Sequence, residues 1–420
     1  MINRFTDNRV LTEMLSKKIT LNFPTKNAEL TIGGILISQL AQRIGQTPFY
    51  AYDRNLITRK IVELRKQMPP DLKIHYAVKA NPMPAVVQHI STLVDGLDLA
   101  SVGEMKIALD TMMPTKNISF AAPAKRDQDL TQAIAAEITI NIESQNELER
   151  IAHISEKIGI QANVAIRINP SFELKSSGVK MGGGAKPFGI DEECVPAVLK
   201  QLKMLNLNFK GFHIFSGSQC LKADAIIDAQ QKSIDLAIRL ADFCSTSIQT
   251  LNIGGGFGIP YFPNESELNV QQIGETLFNS MEKLKQSQPQ TDVIIELGRY
   301  LVGEAGIYVS QILDKKHSRG QTFLVVNGGL HQHLAASGNF GQILRKNYPI
   351  AIGNKMNSAE KEIVNIVGLL CTPLDILADK IELPKAEIGD FVVIFQSGAY
   401  GFTASPREFL SQPDITEVLV

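Results

Sequence analysis

Cysteine is scarce in this sequence, and the cysteines that occur are far apart. Disulfide frameworks and structural zinc sites need closely spaced cysteines, and this chain has no C-x-x-C pair. Histidine offers no alternative set of ligands, because the one close pair, His331 and His333, has no carboxylate or cysteine pattern beside it. We therefore expect free thiols and no metal site. The four cysteines are Cys194, Cys220, Cys244 and Cys371.

Neither an excess of charge nor a long apolar run is present. The 42 basic and 43 acidic residues nearly cancel, so no overall field attracts nucleic acid or an anionic membrane surface. Residues 1–21 are polar and charged, and the run 32–40 is broken by glycine, serine and glutamine, so neither resembles a signal peptide. We expect a cytoplasmic globular protein with neither nucleic acid nor membrane as a partner.

Between residues 74 and 299, short β-rich runs alternate with stretches of helical period, which is typical of parallel β/α units. Two of these stretches, 147–158 and 224–243, repeat apolar residues every three or four positions. The count of eight strands favours a closed barrel of about 250 residues, which leaves room for a smaller domain. The predicted strands are 74–78, 96–99, 118–121, 138–142, 163–168, 209–215, 250–253 and 292–296.

The regions on either side of the barrel are also rich in β-like runs. The simplest assembly is a second domain built from both ends of the chain. We therefore assign 53–306 to the barrel, and 1–52 together with 307–420 to a β-rich domain. The predicted strands after the barrel are 307–313, 322–326, 363–367 and 391–395.

A glycine run at 254–258, interrupted only by Phe257, follows the seventh predicted strand. An open doubly wound sheet would carry such a turn after its first strand, whereas barrels commonly bind phosphate after strands seven and eight. Glycine permits positive φ and close approach, so backbone N–H groups can surround an anion. The run therefore indicates a phosphate site, although a tight turn without a ligand would also account for it.

Polar side chains gather at the carboxyl ends of the predicted strands, where barrel enzymes carry their chemistry. Lys79 lies at the end of the first strand. A lysine in an apolar strand costs free energy unless it forms an ion pair or a covalent bond. Glu296 and Arg299 end the eighth strand. The fifth and sixth strands end with Arg167, Asn169, His213, Phe215 and Ser218.

These residue types are the ones that a pyridoxal phosphate site needs. A lysine holds the cofactor aldehyde as a Schiff base, and a carboxylate keeps the ring nitrogen protonated so that the ring can accept electrons. Lys79 and Glu296 suit these two roles. A purely structural alternative pairs Glu296 with Arg167 or Arg299.

Six motifs, in this order, resemble the ornithine/diaminopimelate/arginine decarboxylases, which are fold type III pyridoxal phosphate enzymes. The similarity covers about residues 45–410. It implies an α/β fold: an alanine-racemase-like (β/α)8 barrel and a C-terminal β-rich domain that also uses the N-terminal segment. The motifs are YAVKAN at 76–81, LDLAS at 97–101, HIFSGSQ at 213–219, GGGFG at 254–258, ELGR at 296–299 and GAY at 398–400.

The resemblance also implies roles for individual residues. Lys79 is then the Schiff-base lysine and Glu296 the partner of the ring nitrogen. Cys371, supplied by the other subunit of a homodimer, returns a proton to Cα after CO2 leaves. The implied cofactor contacts are Lys79, Asp98, Arg167, His213, Phe215, Ser218, Gly255, Gly256, Glu296, Gly298, Arg299 and Tyr400. The implied substrate contacts are Arg345, Tyr348, Cys371, Thr372, Asp375 and Tyr400.

Two departures from the family pattern bear on the substrate. Phe215 stands where the family usually has a histidine stacked on the cofactor ring. Thr372 stands where a carboxylate would meet the distal ammonium of a diamino acid, so selection for a free diamino acid should be weakened. The sequences at 371–375 and 398–406 resemble a subgroup that includes the butirosin-pathway decarboxylase, which acts on a carrier-bound glutamyl group, and exosortase-associated homologues.

The expected function is therefore decarboxylation of an L- or D-amino acid or aminoacyl group, free or held on an acyl carrier protein. Alternatives are a diaminopimelate decarboxylase that makes lysine, or a decarboxylase of another diamino acid or of a siderophore precursor. An alanine racemase is disfavoured, because those enzymes resemble one another in placing arginine where Glu296 stands. An inactive regulator is disfavoured because Lys79, Glu296 and Cys371 are retained.

Overall fold

The computed structural model divides the described chain into two compact units. One consists of Thr58–Ile259 and Glu267–Leu301, and the other contains the remaining described residues. Residues 1–14 of the predicted β-rich domain lie outside the described part. The described residues are 15–340, 342 and 345–420.

The segment Pro260–Ser266 belongs to the second unit, although the boundaries predicted from the sequence put it in the barrel. Contacts within that unit explain the difference. The ring centroids of Tyr261 and Tyr348 lie 4.9 Å apart, and the Pro260 carbonyl accepts a 2.9 Å hydrogen bond from the Gln396 amide.

The first unit contains a closed barrel of eight parallel strands. Each strand pairs with the next in chain order, including the fourth with the fifth. The eighth strand pairs with the first, which closes the barrel. The predicted barrel is thus confirmed, and no strand end differs from its predicted position by more than one residue. The strands are Lys73–Ala77, Gly96–Leu99, Ile118–Phe120, Thr139–Ile142, Asn163–Asn169, Asn208–Ile214, Thr250–Asn252 and Asp292–Leu297.

Helices connect the barrel strands, and capping side chains fix where several of them begin. Ser144 Oγ accepts a hydrogen bond from the Glu147 N–H and satisfies a helix-start donor, so this helix begins two residues before the predicted 147–158. Gly159 ends it in the left-handed conformation, with φ of 71°. The helices are Pro84–Ser91, Val102–Leu109, Asp127–Ala135, Gln145–Ile158, Val195–Leu202, Ala223–Ala241 and Val270–Ser287, with Arg54–Gln67 preceding the first strand.

The second unit is built around the long strand Gly306–Ser318, which pairs with three antiparallel neighbours. One neighbour, Phe49–Tyr52, comes from the N-terminal part of the chain and also pairs with Thr416–Leu419 near the C-terminus. The predicted β-rich domain that uses the N-terminal segment is therefore confirmed. The other strands of this sheet are Gln321–Val326, Ile350–Ile352, Lys361–Val367, Ile376–Pro384 and Phe391–Ile394.

The second unit also contains a smaller three-stranded sheet and the helix Ile37–Ile44. His331 and His333 are both buried here, and His333 Nε2 lies 2.8 Å from Ser397 Oγ. Within the described residues, no group of three or more potential ligands has an arrangement suited to a metal ion. No helix in the same part of the chain is both long and apolar enough to cross a membrane. The small sheet consists of Thr25–Lys26, Glu29–Ile32 and Ile35–Leu36.

Candidate active site

The glycine run after the seventh strand forms a tight loop. Gly254 and Gly256 have φ of 70° and 85°, a conformation that residues with a Cβ rarely adopt. The Gly254 carbonyl accepts a 3.0 Å hydrogen bond from the Glu296 N–H, and the Gly256 carbonyl accepts one of 2.8 Å from Cys220. Among the described residues, the N–H groups of Gly255 and Gly256 have no acceptor, so they are available to an anion.

Replacing Gly255 with alanine should damage this loop. An added Cβ would come within 2.0 Å of the Glu296 carbonyl oxygen, and backbone cannot move aside cheaply. We expect unfolding of the cofactor-free protein to become easier by about 1–3 kcal/mol. Gly103→Ala is the matched control, because its Cβ would meet nothing closer than Ser101 Oγ at 3.6 Å. Equal stability of the two variants in urea titrations would contradict this account of the loop.

Lys79 lies directly beyond the first barrel strand. The strand ends at Ala77, one residue earlier than predicted, because Val78–Ala80 form a short 3-10 turn. This turn exposes Lys79, whereas Val78 and Ala80 are buried. The Lys79 Nζ lies 5.1 Å from the ring centroid of Phe215. An accessible amine therefore stands next to an aromatic ring at the carboxyl end of the barrel.

Glu296 is buried in the eighth strand, with only 6% of its surface exposed. Its Oε2 atom lies 3.0 Å from His213 Nε2 and accepts a 3.1 Å hydrogen bond from Asn252 Nδ2. The sequence alternative, a pair with Arg167 or Arg299, is not what the structure contains, since the imidazole is the partner. Burial alone would raise the pKa of the Glu296 carboxyl, but His213, and then the charges of Lys79 and Arg167, lower this pKa to about 2.

The lowered pKa of Glu296 predicts how stability should depend on pH. The pKa of Glu296 in the folded protein lies below its value of about 4.3 in the unfolded chain. The ionised carboxylate therefore stabilises the folded protein fully at pH values above the unfolded pKa. The contribution is lost as the pH falls toward the folded pKa of about 2. We therefore expect Glu296→Gln to lose less unfolding free energy than the wild type between about pH 5 and about pH 3. Urea titrations at each pH measure this, and a steeper loss in the variant would contradict it.

Arg167 is buried at the end of the fifth strand and is held by Glu143. Its Nη1 atom donates to Glu143 Oε1 at 2.8 Å, and its guanidinium lies 5.1 Å from the ring centroid of Phe188. Glu143 Oε2 also accepts a 3.3 Å hydrogen bond from the Gly189 N–H. The arginine is therefore fixed by a carboxylate and a ring that do not belong to its own strand.

Asp98 is part of a second buried polar group inside the barrel. Its Oδ1 atom accepts a 2.5 Å hydrogen bond from Ser119 Oγ and lies 3.3 Å from His75 Nδ1. Its Oδ2 atom is buried and has no hydrogen-bond partner in the described part of the chain. Asp98 therefore retains one carboxylate oxygen for an additional partner.

Ser218 follows the sixth strand, and the consecutive residues Gly298 and Arg299 follow the eighth strand at the same end of the barrel. Ser218 belongs to the two-residue strand Gly217–Ser218, which pairs with Val179–Lys180. A Cβ on Gly298 would come within 2.7 Å of the Ala80 Cβ, so glycine lets the eighth strand pack against the Lys79 turn. Arg299 begins the short helix Arg299–Val302.

Three of the expected substrate residues lie in one turn of the β-rich unit. Cys371 is exposed, Thr372 is half-buried and Asp375 is buried. The two carboxylate oxygens of Asp375 accept hydrogen bonds from the N–H groups of Leu330 at 2.6 Å and Leu370 at 2.9 Å. Asp375 therefore holds the turn that carries Cys371, a role that the sequence did not predict, and its substrate contact stays a prediction.

The other expected contacts from the β-rich unit have different surroundings. Arg345 is exposed, and its guanidinium donates to the Ile376 carbonyl. Tyr348 is buried, with its ring centroid 5.7 Å from that of His333. Tyr400 has a φ of 53°, which is uncommon for a residue with a side chain. Their roles toward cofactor and substrate stay predictions.

Asn252 and Glu143 belong to this polar arrangement, but the sequence interpretation missed them. Asn252 immediately precedes Ile253 and the glycine run. Its position near the end of a predicted strand could therefore have identified it as a candidate site residue. Glu143 follows the fourth strand in the same way. Neither was predicted, because the resemblance assigns no cofactor or substrate contact to these two positions.

The residues at this end of the barrel fit pyridoxal phosphate. The free N–H groups of Gly255 and Gly256 suit its phosphate, and the exposed Lys79 amine suits its aldehyde. Glu296 Oε1 accepts no hydrogen bond from the described residues, which leaves it available to a protonated ring nitrogen. A closed barrel with these three features defines an enzyme of the pyridoxal-phosphate-binding barrel class.

Comparisons with known proteins place the chain within that class. The model for the pyridoxal binding domain of pyridoxal-dependent decarboxylases matches residues 54–303. The L-glutamyl-(BtrI acyl-carrier protein) decarboxylase of Niallia circulans is 36% identical over 389 residues, which cover 91% of this chain and 90% of the relative. The diaminopimelate decarboxylase of Aquifex aeolicus is 32% identical over 398 residues, which cover 94% and 91%.

The solved structures agree with these relatives. The diaminopimelate decarboxylase of M. jannaschii, crystallised with L-lysine, matches with a TM-score of 0.85 and 27% identity, covering 95% of this chain and 92% of that one. The chain belongs to the pyridoxal-dependent decarboxylase family. It is a carboxy-lyase that uses pyridoxal phosphate, as the sequence predicted.

Proposed function

We propose that this enzyme removes CO2 from an aminoacyl group held as a thioester on an acyl carrier protein, with glutamyl as the first candidate. The observation that carries the proposal is the turn at 371–375, where Thr372 follows an exposed Cys371 and supplies no carboxylate. A free diamino acid would need an anionic partner for its distal ammonium. The 36% identity to a decarboxylase named for a carrier-bound glutamyl substrate supports the same conclusion.

Within this proposal, each barrel residue has a defined task. Bound pyridoxal phosphate supplies a ring that accepts the electron pair left at Cα when CO2 departs. Lys79 would hold the cofactor aldehyde through its accessible amine. Glu296 stays anionic, because its pKa is lowered, and so keeps a proton on the ring nitrogen. Gly255 and Gly256 bind the phosphate.

Other residues orient the reacting groups. Phe215 lies beside Lys79 Nζ, where its benzyl side chain would stack against the cofactor ring but cannot titrate. Arg167, fixed by Glu143, contributes a permanent positive charge. Asp98, Ser218, Gly298, Arg299 and Tyr400 complete the proposed cofactor contacts. Cys371 gives a proton to Cα after CO2 has left.

A panel of substrates tests the proposal directly. We expect CO2 release from glutamyl-loaded carrier protein to exceed release from free glutamate, ornithine, lysine and meso-diaminopimelate by about 10²-fold or more in kcat/KM, since the carrier supplies binding energy that free amino acids lack. Rapid turnover of free meso-diaminopimelate would overturn the proposal and favour the alternative of a lysine-forming enzyme, which the 32% identity to a diaminopimelate decarboxylase supports.

Thr372 offers a sharper form of the same test. In Thr372→Asp a carboxylate is restored beside Cys371, so kcat/KM for a free diamino acid should rise about 10-fold while that for the carrier-bound substrate falls. Thr372→Asn is the matched control, because asparagine has nearly the same shape as aspartate but carries no charge. An equal response of the two variants would show that the charge at this position does not select the substrate.

We further propose that the enzyme is a cytoplasmic homodimer. In a dimer with twofold symmetry, the exposed Cys371 of one subunit can complete the barrel site of its partner. The four cysteines are free thiols, which suits a reducing compartment. Sedimentation equilibrium of the cofactor-loaded enzyme at micromolar concentration should give the mass of two chains, and a monomer that is fully active would contradict the dimer.

A further inference from the structure

Asn252 connects the two parts of the cofactor site that lie on different strands. Its Nδ2 atom donates a 3.1 Å hydrogen bond to Glu296 Oε2, and its Oδ1 atom accepts a 2.8 Å hydrogen bond from the Gly254 N–H. The side chain is 6% exposed. One buried amide therefore joins the proposed partner of the ring nitrogen to the proposed phosphate loop.

Asparagine supplies the donor and the acceptor that these two bonds need. The bond from the N–H two residues ahead is an Asx turn, which requires a short side chain with an acceptor oxygen. The bond to Glu296 requires a donor, because that carboxylate is anionic. Aspartate would keep the turn and lose the donor, whereas leucine has a similar shape and makes neither bond.

The oxygens of Glu296 are used unequally. Oε2 lies within 3.0 Å of His213 Nε2 and takes the Asn252 bond as well, whereas Oε1 has no partner within residues 15–340, 342 and 345–420. The Asn252 hydrogen bond and the close His213 contact both fall on Oε2, which fixes the rotation of the carboxylate and directs the other oxygen away from them. This is how a second layer of residues orients a group that binds a cofactor.

We propose that Asn252 is a positioning residue that fixes Glu296 and the glycine loop relative to each other, so that ring nitrogen and phosphate of one cofactor are bound together. This inference rests on the proposed roles of Glu296, Gly255 and Gly256. It does not depend on which substrate is used, so its test needs no substrate.

Affinity of the cofactor-free protein for pyridoxal phosphate is the first readout. We expect Asn252→Leu to weaken binding about 10- to 100-fold. Asn163→Leu is the matched control, because Asn163 also donates one bond, to the Glu137 carbonyl, and accepts one, from Asn208. That control lies at the amino end of its strand and should leave the affinity unchanged. A loss of thermal stability in both variants with no change in affinity would overturn the proposal.

A double-mutant cycle measures how strongly Asn252 and Glu296 depend on each other in binding the cofactor. If Asn252 acts through Glu296, Asn252→Leu should weaken binding by a smaller factor when Glu296→Gln is already present, because the remaining loss comes only from the bond to the Gly254 N–H. The full loss in that background would show that Asn252 does not act through the carboxylate. Normal cofactor binding by the wild type, measured in the same series, separates failure of this inference from failure of the cofactor site itself.

Asn252→Asp gives a spectroscopic test. The second carboxylate beside Glu296 should raise the pKa of one member of the pair, so the visible spectrum of the bound cofactor should become pH-dependent where the wild type is constant. The other titratable or charged groups that face Glu296 are His213, Lys79 and Arg167, and the substitution replaces none of them. A spectrum with wild-type pH dependence would contradict the proposal.

Discussion

Replacing Lys79 with alanine is expected to lower CO2 release about 10³- to 10⁵-fold, the range seen when a residue central to catalysis is removed. Lys79 is the accessible amine beside Phe215 at the barrel end, and the proposed mechanism has no substitute for it. The visible absorption of the lysine-bound cofactor should disappear with the activity. Steady-state rates and absorption spectra of the purified variant measure both effects.

Lys79→Arg separates chemistry from charge. Arginine keeps the positive charge near Glu296 and Phe215, but it does not form the covalent bond to the cofactor. We expect this variant to be as inactive as Lys79→Ala. Activity within about 10-fold of wild type in either variant would show that the lysine supplies only charge or packing.

Replacing Cys371 with alanine should lower turnover about 10²- to 10⁴-fold, the usual contribution of a positioned proton donor. Because Cys371 lies in the β-rich unit and is exposed, cofactor affinity should not change. Cys371→Ser is the conservative control and should retain part of the rate. Unchanged turnover of Cys371→Ala would leave the cysteine without a role in proton transfer.

Mixed dimers extend the Cys371 prediction to the homodimer. Lys79→Ala and Cys371→Ala are each inactive, but a dimer with one of each has one site with both groups intact if the sites are shared. Random reassortment then restores about a quarter of wild-type activity. Absence of any recovery, with subunit exchange confirmed by mass spectrometry, would rule out sites shared between subunits.

The barrel was predictable because each of its strands has a recognisable pattern within a short stretch of the sequence. Each strand is a short apolar run bounded by turn residues, and strands buried on both faces leave that signature. Lys79 and Glu296 were identified because polar residues at the ends of such runs are unusual. The same reasoning placed the ends of the first and sixth strands one residue too far, since a 3-10 turn begins at Val78 and strand pairing stops at Ile214.

Contacts between distant segments were not predictable. The partner of Glu296 is His213, 83 positions away, and only the closed barrel brings the two together. The sequence also does not reveal that the N–H groups of Leu330 and Leu370 donate to the oxygens of Asp375, whose substrate contact stays a prediction. Hydrophobic period predicts which face of a strand is buried, but not which polar groups meet across the interior.

The most direct test of the central claim is to identify the lysine that holds the cofactor. Borohydride reduction of the loaded enzyme makes the bond permanent, and peptide mass spectrometry then locates the modified residue. We predict a single phosphopyridoxyl group on Lys79, which is absent in Lys79→Arg. Modification of another lysine, such as the buried Lys125 that is paired with Glu147, with Lys79 unmodified, would contradict the proposed site.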